Sequence, residues 1–437
     1  MSFNEWHTVS IKDVFELIPG FAFKSKEFSE NGIPVIKIKN VKALRLLDRE
    51  FSYIDPKYLE TKSRFTTKKG DLLISMTGNR IEGSMSSWVG KVCRINSDKK
   101  YLINQRVGIL RLSNEIYSDK FFLYLLGSEE IQKKLISIAT SSGGQANISP
   151  DQIKSLEFSV PYFEVQNAIA DILSTLDEKI EVNNQINKTL ENMAQAIFKQ
   201  WFVDFEFPNE EGEPYKSSGG EMFESELGMI PKGWEVKKSS DIANVNIGKT
   251  PPRKEKECFT LDPDDYKWIS IKDLGNSGAY IFDSSEYLTK ESIEKYNVKV
   301  VPDNTVVLSF KLTIGRVSIT CGQMTTNEAI AHFNLSNKSK ITTEYLYLYL
   351  KGFDYGKLGN TSSIANAVNS KIIKSMPIIV PDNKTIKTFS EVMESVFSKI
   401  KYTIKQSDKL IEIRDSLLPK LMSGEIRVPL NEEGDAS

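Results

Sequence analysis

Gly248-Lys249-Thr250, with Ala243 five residues upstream of the glycine, fits a permissive phosphate-loop pattern, which would give the chain a nucleoside-triphosphatase chemistry. Pro251-Pro252 argue against it. A phosphate loop must run into a helix whose N-terminal amides face the phosphates, and two consecutive prolines favour extended chain instead. Only two histidines occur, His7 and His332, and neither has a neighbouring ligand pattern, so histidine-based metal or acid–base chemistry has little to work with. His332 reads as a structural residue in a strand. Asp382, after Pro381, reads as the cap of a helix rather than part of a nuclease core. Neither a glycine-rich loop after a strand for a methyl-donor cofactor nor an Asn-Pro-Pro-aromatic tetrapeptide for adenine methylation occurs. Cys93, Cys258 and Cys321 have no paired spacing, which argues against a disulfide framework and against a structural zinc site; buried, inert thiols are expected. The residues describe a binding protein better than a catalyst.

The elements that would position binding residues are legible because the second half of the chain repeats the first. Ile153-Lys154-Ser155 returns as Ile373-Lys374-Ser375, Val160-Pro161 as Val380-Pro381 and Leu190 as Leu410, each 220 positions later. Ile169, Leu173, Leu176, Ile180, Leu190, Ala194, Ile197 and Trp201 climb in steps of four and three, which is a coiled-coil seam. The copy runs Phe389, Met393, Val396, Ile400, Leu410, Leu417 and Leu421. Both seams carry a polar break, Asn183 and Asn187 in one and Thr403 and Ser407 in the other. If a two-fold axis relates the repeats, the helices run antiparallel and these four residues meet as one central layer. The expected flanks are apolar layers from Ile180 and Ile400 and from Leu190 and Leu410. Pro419 predicts an end or kink near Leu418.

Each helix follows a β-rich segment of about 150 residues with short, turn-broken strands. The pattern predicts strands at Val35–Ile38, Leu72–Ser75, Val89–Ile95 and Val107–Leu112, and again at Trp268–Ile271, Val306–Phe310 and Arg316–Thr320. Helices are expected around Asp119–Ala139 and Thr343–Leu350. The two segments are related loosely: Trp6 matches Trp234, Ile36-Lys37-Ile38-Lys39 matches Ile269-Ser270-Ile271-Lys272, Gly90-Lys91-Val92 matches Gly315-Arg316-Val317, and Asn104-Gln105 matches Asn327-Glu328. Loops between these landmarks differ in length and side chains, so one scaffold presents two surfaces.

Composition bounds the rest. A chain of 437 residues, 40% hydrophobic, can bury sizeable cores. The polar stretch Met1–Ser10 lacks an apolar leader and no run is long enough to span a bilayer, so a cytoplasmic location is expected. Net charge is −1, but residues 204–226 hold eight acids against Lys216, and residues 429–437 hold Glu432, Glu433 and Asp435. Setting aside these −7 and −3 leaves the remainder at +9, an excess compatible with a polyanionic partner or with an ordinary mixed surface. Pro208, Gly212, Pro214, Gly219 and Gly220 mark the acidic stretch as a linker.

In its order of parts, the chain resembles the specificity subunit of type I restriction-modification enzymes. The blocks are FSVPYFEVQNAIADILSTLDEKIEVNNQINKTLENMAQAIFKQWF at 158–202 and SDKLIEIRDSLLPKLMSGEIRV at 407–428, supported by GFAFKSKEFSENGIPVIKIKNV at 20–41, GDLLISMTGN at 70–79 and IGKTPP at 247–252. The acidic-Gln pair usual after the Val-Pro turn is reduced to Val165-Gln166 in the first repeat and absent at Thr385-Ile386 in the second. The resemblance implies an α/β (α+β) two-fold internal repeat: two β-rich target recognition domains joined by two long helices that form an antiparallel coiled coil. The implied boundaries are a first recognition domain at 1–160, a helix at 161–203, the acidic linker at 204–230, a second recognition domain at 231–380, a helix at 381–425 and a tail at 426–437. It also implies that each globule reads one half of a split DNA sequence and that the helices act as a ruler. A helix from Glu164 to Phe202 would be about 58 Å long at 1.5 Å per residue, roughly 17 base pairs.

By the same resemblance the chain needs no cofactor of its own. Its implied partners are double-stranded DNA, two modification (methyltransferase) subunits carrying S-adenosylmethionine, and restriction (translocase and nuclease) subunits using ATP and Mg. No membrane partner is implied. Base edges take Arg, Lys, Asn and Gln, and phosphates take Lys, Arg and Ser. Candidates in the first globule are Lys24, Lys26, Asn79, Arg80, Lys91, Gln105, Arg106, Gln145 and Asn147; in the second they are Lys249, Arg253, Lys254, Lys311, Arg316, Asn327 and Asn366. The polar segments Thr140–Ser149 and Thr361–Asn369, just before the helices, are favoured. Helix pairing is assigned to Leu173, Leu176, Ile180, Asn183, Asn187, Leu190 and Ile197 with Met393, Val396, Ile400, Thr403, Ser407, Leu410 and Leu417. Two other readings stay open: a coiled-coil scaffold or adaptor whose globules bind protein or glycan, and a fused enzyme with an unrecognised active site.

Overall fold

The computed structural model describes residues 6–79, 88–142, 145–358 and 368–429. The chain forms two compact units, Met1–Glu181 with Ser407–Ser437, and Val182–Gln406. Each holds one globule and a stretch of each long helix, Phe163–Phe202 and Asn383–Met422.

In the first unit an antiparallel sheet takes the order Val92–Arg94, Leu72–Ser75, Val107–Leu112, Phe15–Pro19. Its strands form because unbroken apolar runs can be covered on both faces: all four residues of Leu72–Ser75 are buried. A second sheet runs Leu102–Ile103, Ile33–Ile36, Ser52–Ile54, Phe28–Ser29, its first pair parallel. His7–Ser10 pairs with Glu157–Val160 just before the long helix. The second unit repeats this plan. Ala243–Ile247, Ile330–Leu335, Val306–Ser309 and Val317–Thr320 form the first sheet, with Tyr280–Ile281 added in parallel at the edge. Phe259–Thr260, Tyr287–Leu288, Tyr266–Ile269 and Thr325–Thr326 form the second, and Glu235–Lys238 pairs with Pro377–Val380.

The expected helix over Asp119–Ala139 divides into Asp119–Gly127 and Glu129–Ile138. Ser128 takes an extended conformation and its hydroxyl oxygen accepts the Ile131 amide, so it caps a second helix rather than continuing the first. Asp382 caps the second long helix, its Oδ1 accepting the Lys384 and Thr385 amides at 2.9 Å each. The first long helix starts differently: Gln166, buried, accepts the Ser118 amide at 3.0 Å and donates to the Pro161 carbonyl at 2.8 Å.

Pro419 does not end the second helix, which runs to Met422. A turn so near the C-terminus needs few further bonds; the Ser423 amide closes onto the Pro419 carbonyl at 3.0 Å and Leu421 is buried in the first core. Nor is 204–230 an open linker. Phe207, Ile230 and Trp234 are buried in the second core, and Phe207 stacks on Tyr215 and Trp234 at 4.6 and 5.0 Å. Met222–Ser225 and Gly228–Pro231 form a hairpin. Aromatic anchors hold the segment while six of its eight acids, Glu210, Glu211, Glu213, Glu221, Glu224 and Glu226, are exposed, a division that charge and glycine counts do not reveal.

Within each unit the helix stretches lie antiparallel. In the first, Arg414 Nη1 donates to Asp177 Oδ1 at 2.6 Å, and the Tyr124 hydroxyl donates to Asp177 Oδ2 at 2.7 Å, tying globule and both helices at one carboxylate. Leu173 is buried there, with Leu417 packed against the same core; Leu176, Ile180 and Leu410 are half-buried. In the second, Trp201 and Phe202 rings meet Phe389 at 5.7 and 4.8 Å, and Ile197 and Val396 pack against the core that holds Met393.

All four polar-break residues, Asn183, Asn187, Thr403 and Ser407, are buried. Asn187 and Thr403 meet across the helices as the sequence expectation has it: the Thr403 hydroxyl donates to Asn187 Oδ1, and Asn183 Nδ2 donates at 2.9 Å to Oε1 of Gln406, the residue before Ser407. The flanking layers regroup. With Asn187 opposite Thr403, three steps forward on one helix answer three steps back on the other, so Leu190 falls level with Ile400, not Leu410, and both belong to the second core.

Two outcomes follow. Thr403→Val removes the donor facing Asn187 Oδ1 in a buried layer and should cost about 1–3 kcal/mol in urea unfolding. Asn187→Leu with Thr403→Leu should recover that loss and raise the unfolding midpoint above the parent; a double variant weaker than the single one contradicts the pairing. His332, buried in strand Ile330–Leu335 beside the Thr326 hydroxyl at 2.5 Å, is held by burial at a pKa of about 4. Unfolding lets it take up a proton below its ordinary 6.5. Its contribution is therefore complete above pH 6.5 and is lost as pH falls towards 4. His332→Gln should flatten the acid-side stability loss by about 1.4 kcal/mol per pH unit in that window, measured by unfolding at pH 4.5–7.

Candidate nucleic-acid interface

The candidate surface in each globule is built on one main-chain frame. The Gly20 amide donates to the Val107 carbonyl at 2.9 Å and the Phe21 amide to Ile103 at 3.1 Å, while Val107 closes the turn onto Asn104 at 2.8 Å. In the second unit Gly248 donates to Ile330 at 3.0 Å, Lys249 to Thr326 at 2.9 Å, and Ile330 closes onto Asn327 at 3.2 Å. A Cβ on Gly20 would lie 2.2 Å from the Asn104 carbonyl oxygen, and one on Gly248 would lie 2.2 Å from that of Asn327. Glycine is needed where the backbones touch this closely. A second shared joint follows. The Lys91 and Arg316 amides donate to the Ser75 and Ser309 hydroxyls at 2.9 and 3.1 Å, and Gly90 and Gly315, at φ 84° and 89°, donate to the carbonyls of the same serines.

In the first globule five candidates come together. Gln105 and Arg106 are exposed on the turn 104–107. Gln145–Asn147 pairs with Thr77–Gly78, placing Ala146 opposite Gly78 and Asn147 opposite Thr77, one step from exposed Asn79. Arg106 Nη1 donates to Asn147 Oδ1 at 3.1 Å and to Thr77 Oγ1 at 3.4 Å, and the Thr77 hydroxyl donates to Asn147 Oδ1 at 2.8 Å. The Met76 amide meets the Arg106 carbonyl at 2.9 Å and the Ile148 amide meets the Met76 carbonyl at 3.0 Å, so turn and strands move as one piece. Lys24 and Lys26 are exposed on a helical turn shortly after Phe21. Lys91 is buried, and desolvation pulls its pKa below the usual lysine value. Arg80 lies outside the described residues.

In the second globule the candidates are more occupied. Lys249 Nζ donates to the Tyr296 carbonyl at 2.5 Å. Arg253 makes two bonds of 2.9 Å to Glu286 and lies over Phe259 and Trp268, 4.1 and 4.5 Å from the ring centres. Arg316 Nη1 donates to the Ile271 carbonyl at 2.6 Å. Asn327 Oδ1 accepts the Ala329 amide at 3.0 Å within its own turn. Lys254 and Lys311 are exposed. Asn366 lies outside the described residues. Thr77, Thr250 and Glu328 were not among the sequence candidates; the Thr250 hydroxyl donates to Glu328 Oε2. The match of Asn104-Gln105 to Asn327-Glu328 was the signal that could have found Glu328.

The chain beyond Thr250 is not helical until the short turn Lys256–Cys258, so no helix N-terminus faces Lys249, as a phosphate loop requires. Among the described residues no group of His, Cys, Asp and Glu is placed to hold a metal ion, and no helix is long and apolar enough to cross a membrane.

A family model described as the type I restriction modification DNA specificity domain matches residues 4–192 and again 231–413. The chain is 28% identical to the type I restriction enzyme HindI specificity subunit of Haemophilus influenzae, over 97% of this chain and 100% of that one. It is 27% identical to the MjaIX specificity subunit of Methanocaldococcus jannaschii, over 97% and 94%. In fold it is similar to the crystal structure of the S subunit of a type I restriction-modification system from M. genitalium, with a TM-score of 0.54, 16% identity and coverage of 96% and 97%. Two copies of one domain in the repeated halves, each on the same frame, make this chain a member of the type I restriction-modification specificity-subunit family.

Proposed function

We propose that the chain is the DNA-addressing subunit of a type I restriction-modification complex, recognising a two-part asymmetric sequence and carrying out no catalysis itself. The carrying observation is the pair of frames built from the same main-chain bonds, one displaying Gln105, Arg106, Gln145 and Asn79 and the other Glu328. Equivalent scaffolds with unlike polar tips suit two different half-sites, because phosphate contacts fix position while side chains at base edges select sequence. Two modification subunits would supply S-adenosylmethionine and adenine methylation; restriction subunits would supply ATP- and Mg-dependent cleavage. The complex would act in the cytoplasm. A scaffold that binds protein or glycan is less well supported, since the family is defined by its DNA specificity domain.

Co-expression with the neighbouring modification subunit, followed by genome-wide mapping of methylated adenines, tests the proposal. The expected result is one bipartite motif with a fixed gap of unspecified bases and unequal halves. A contiguous motif, or methylation by this chain alone, contradicts it. Affinity of the complex for its motif should also fall about a thousandfold or more between 50 and 200 mM salt, as contacts to six or more phosphates require; a protein or glycan interface would change little.

A further inference from the structure

The turn that seats each glycine is the same piece of backbone in both globules, yet it carries opposite chemistry. Asn104-Gln105-Arg106-Val107 presents a guanidinium, and Asn327-Glu328-Ala329-Ile330 presents a carboxylate. Both are exposed.

The two groups are held in comparable ways. Arg106 is fixed through one terminal nitrogen: Nη1 is bonded to Asn147 and Thr77, themselves bonded to each other. Its Nε and Nη2 have no partner among the described residues. These two donors share one edge of the guanidinium plane, with the parallel geometry that grips two acceptors at once. In a DNA major groove that pair of acceptors is guanine O6 and N7. Glu328 is fixed through one oxygen, Oε2, by the Thr250 hydroxyl, and its Oε1 has no partner among the described residues. A free carboxylate oxygen at a DNA surface is repelled by phosphates unless it accepts from a base, and in the major groove its partner is the cytosine N4 amino group.

We infer that the two turns are equivalent base-reading elements, with Arg106 selecting a guanine in one half-site and Glu328 selecting a cytosine in the other. Thr77 with Asn147, and Thr250, are the positioning residues that hold the reading groups by one end. The inference rests on the proposed DNA-addressing function and names which residues discriminate within it.

The test compares methylated motifs in cells expressing the modification subunit with the parent chain, Arg106→Ala, Arg106→Gln, Glu328→Ala or Glu328→Gln. Arg106→Ala should relax one guanine in one half, lowering discrimination there about 5- to 150-fold, the range for one bidentate contact, and leave the other half intact. Glu328→Ala should relax one cytosine in the opposite half. Arg106→Gln and Glu328→Gln should move their positions towards adenine, which a glutamine amide reads through N6 and N7, an outcome misfolding cannot imitate. Unchanged motifs in all four variants overturn the inference while the parent's bipartite motif still upholds the proposed function. Relaxation of a different base, or of both positions in one half, overturns it as well. If a variant gives no methylation, the purified complex is titrated against duplexes carrying each single base change. A loss of affinity uniform across all of them, with a shallower salt dependence, marks a phosphate contact and overturns base reading. No sequence-specific methylation by the parent would instead defeat the proposed function itself.

Discussion

The largest core of each globule is not closed by its own strands alone; it takes side chains from both long helices. In the first unit Phe121, Phe122 and Leu125 close over Ile169, Ala170 and Leu173 from one helix and Leu421 from the other. In the second, Tyr345, Leu346 and Tyr347 share a core with Ala194, Phe198 and Phe202 and with Phe389, Met393 and Phe397. Burial of this kind contributes about 25 cal/mol for each Å² of apolar surface removed from water, so a globule separated from its helix stretches would expose a large part of its driving force. The polar side chains at Asn183, Asn187, Thr403 and Ser407 cut across an otherwise apolar seam, and pairing Asn187 with Thr403 specifies which residues stand level.

Main-chain bonds carry the rest of the frame. The glycine seat, the turn and the serine joint are built from backbone amides and carbonyls plus a few small hydroxyls, and these make no demand on the exposed residues beside them. The exposed tips, Gln105 and Arg106 in one turn and Glu328 in the other, can therefore carry unlike groups at little cost to stability. Such a separation lets one fold serve two different half-sites.

What could be read in the sequence follows the same division. The offset of 220 located the two helices, and the runs at Leu72–Ser75, Val107–Leu112 and Val306–Ser309 located central strands, because continuous apolar runs and heptad steps are direct records of burial. Features set by tertiary partners were not legible. Ser128 divides a helix by capping, Pro419 is carried by a buried Leu421, and 204–234 is ordered by Phe207 against Trp234. Lys91 and Arg316 carry the charge that suits a phosphate contact, yet the repeated Gly90-Lys91 and Gly315-Arg316 pairs record a backbone joint, with Lys91 buried and Arg316 bonded to a carbonyl. Gln105, Arg106, Gln145 and Asn147 were legible as polar residues near turns, but their convergence depends on the register of Gln145–Asn147 against Thr77–Gly78, which no local pattern encodes.

The central claim is that one frame presents two independent readers. It is tested most directly by replacing residues 1–160 with the corresponding globule of a relative that recognises a known, different motif, and mapping methylated adenines in cells that also carry the modification subunit. A motif that keeps one half of the parent's sequence and takes the other half from the donor is the predicted result; alteration of both halves, or of neither, would contradict it.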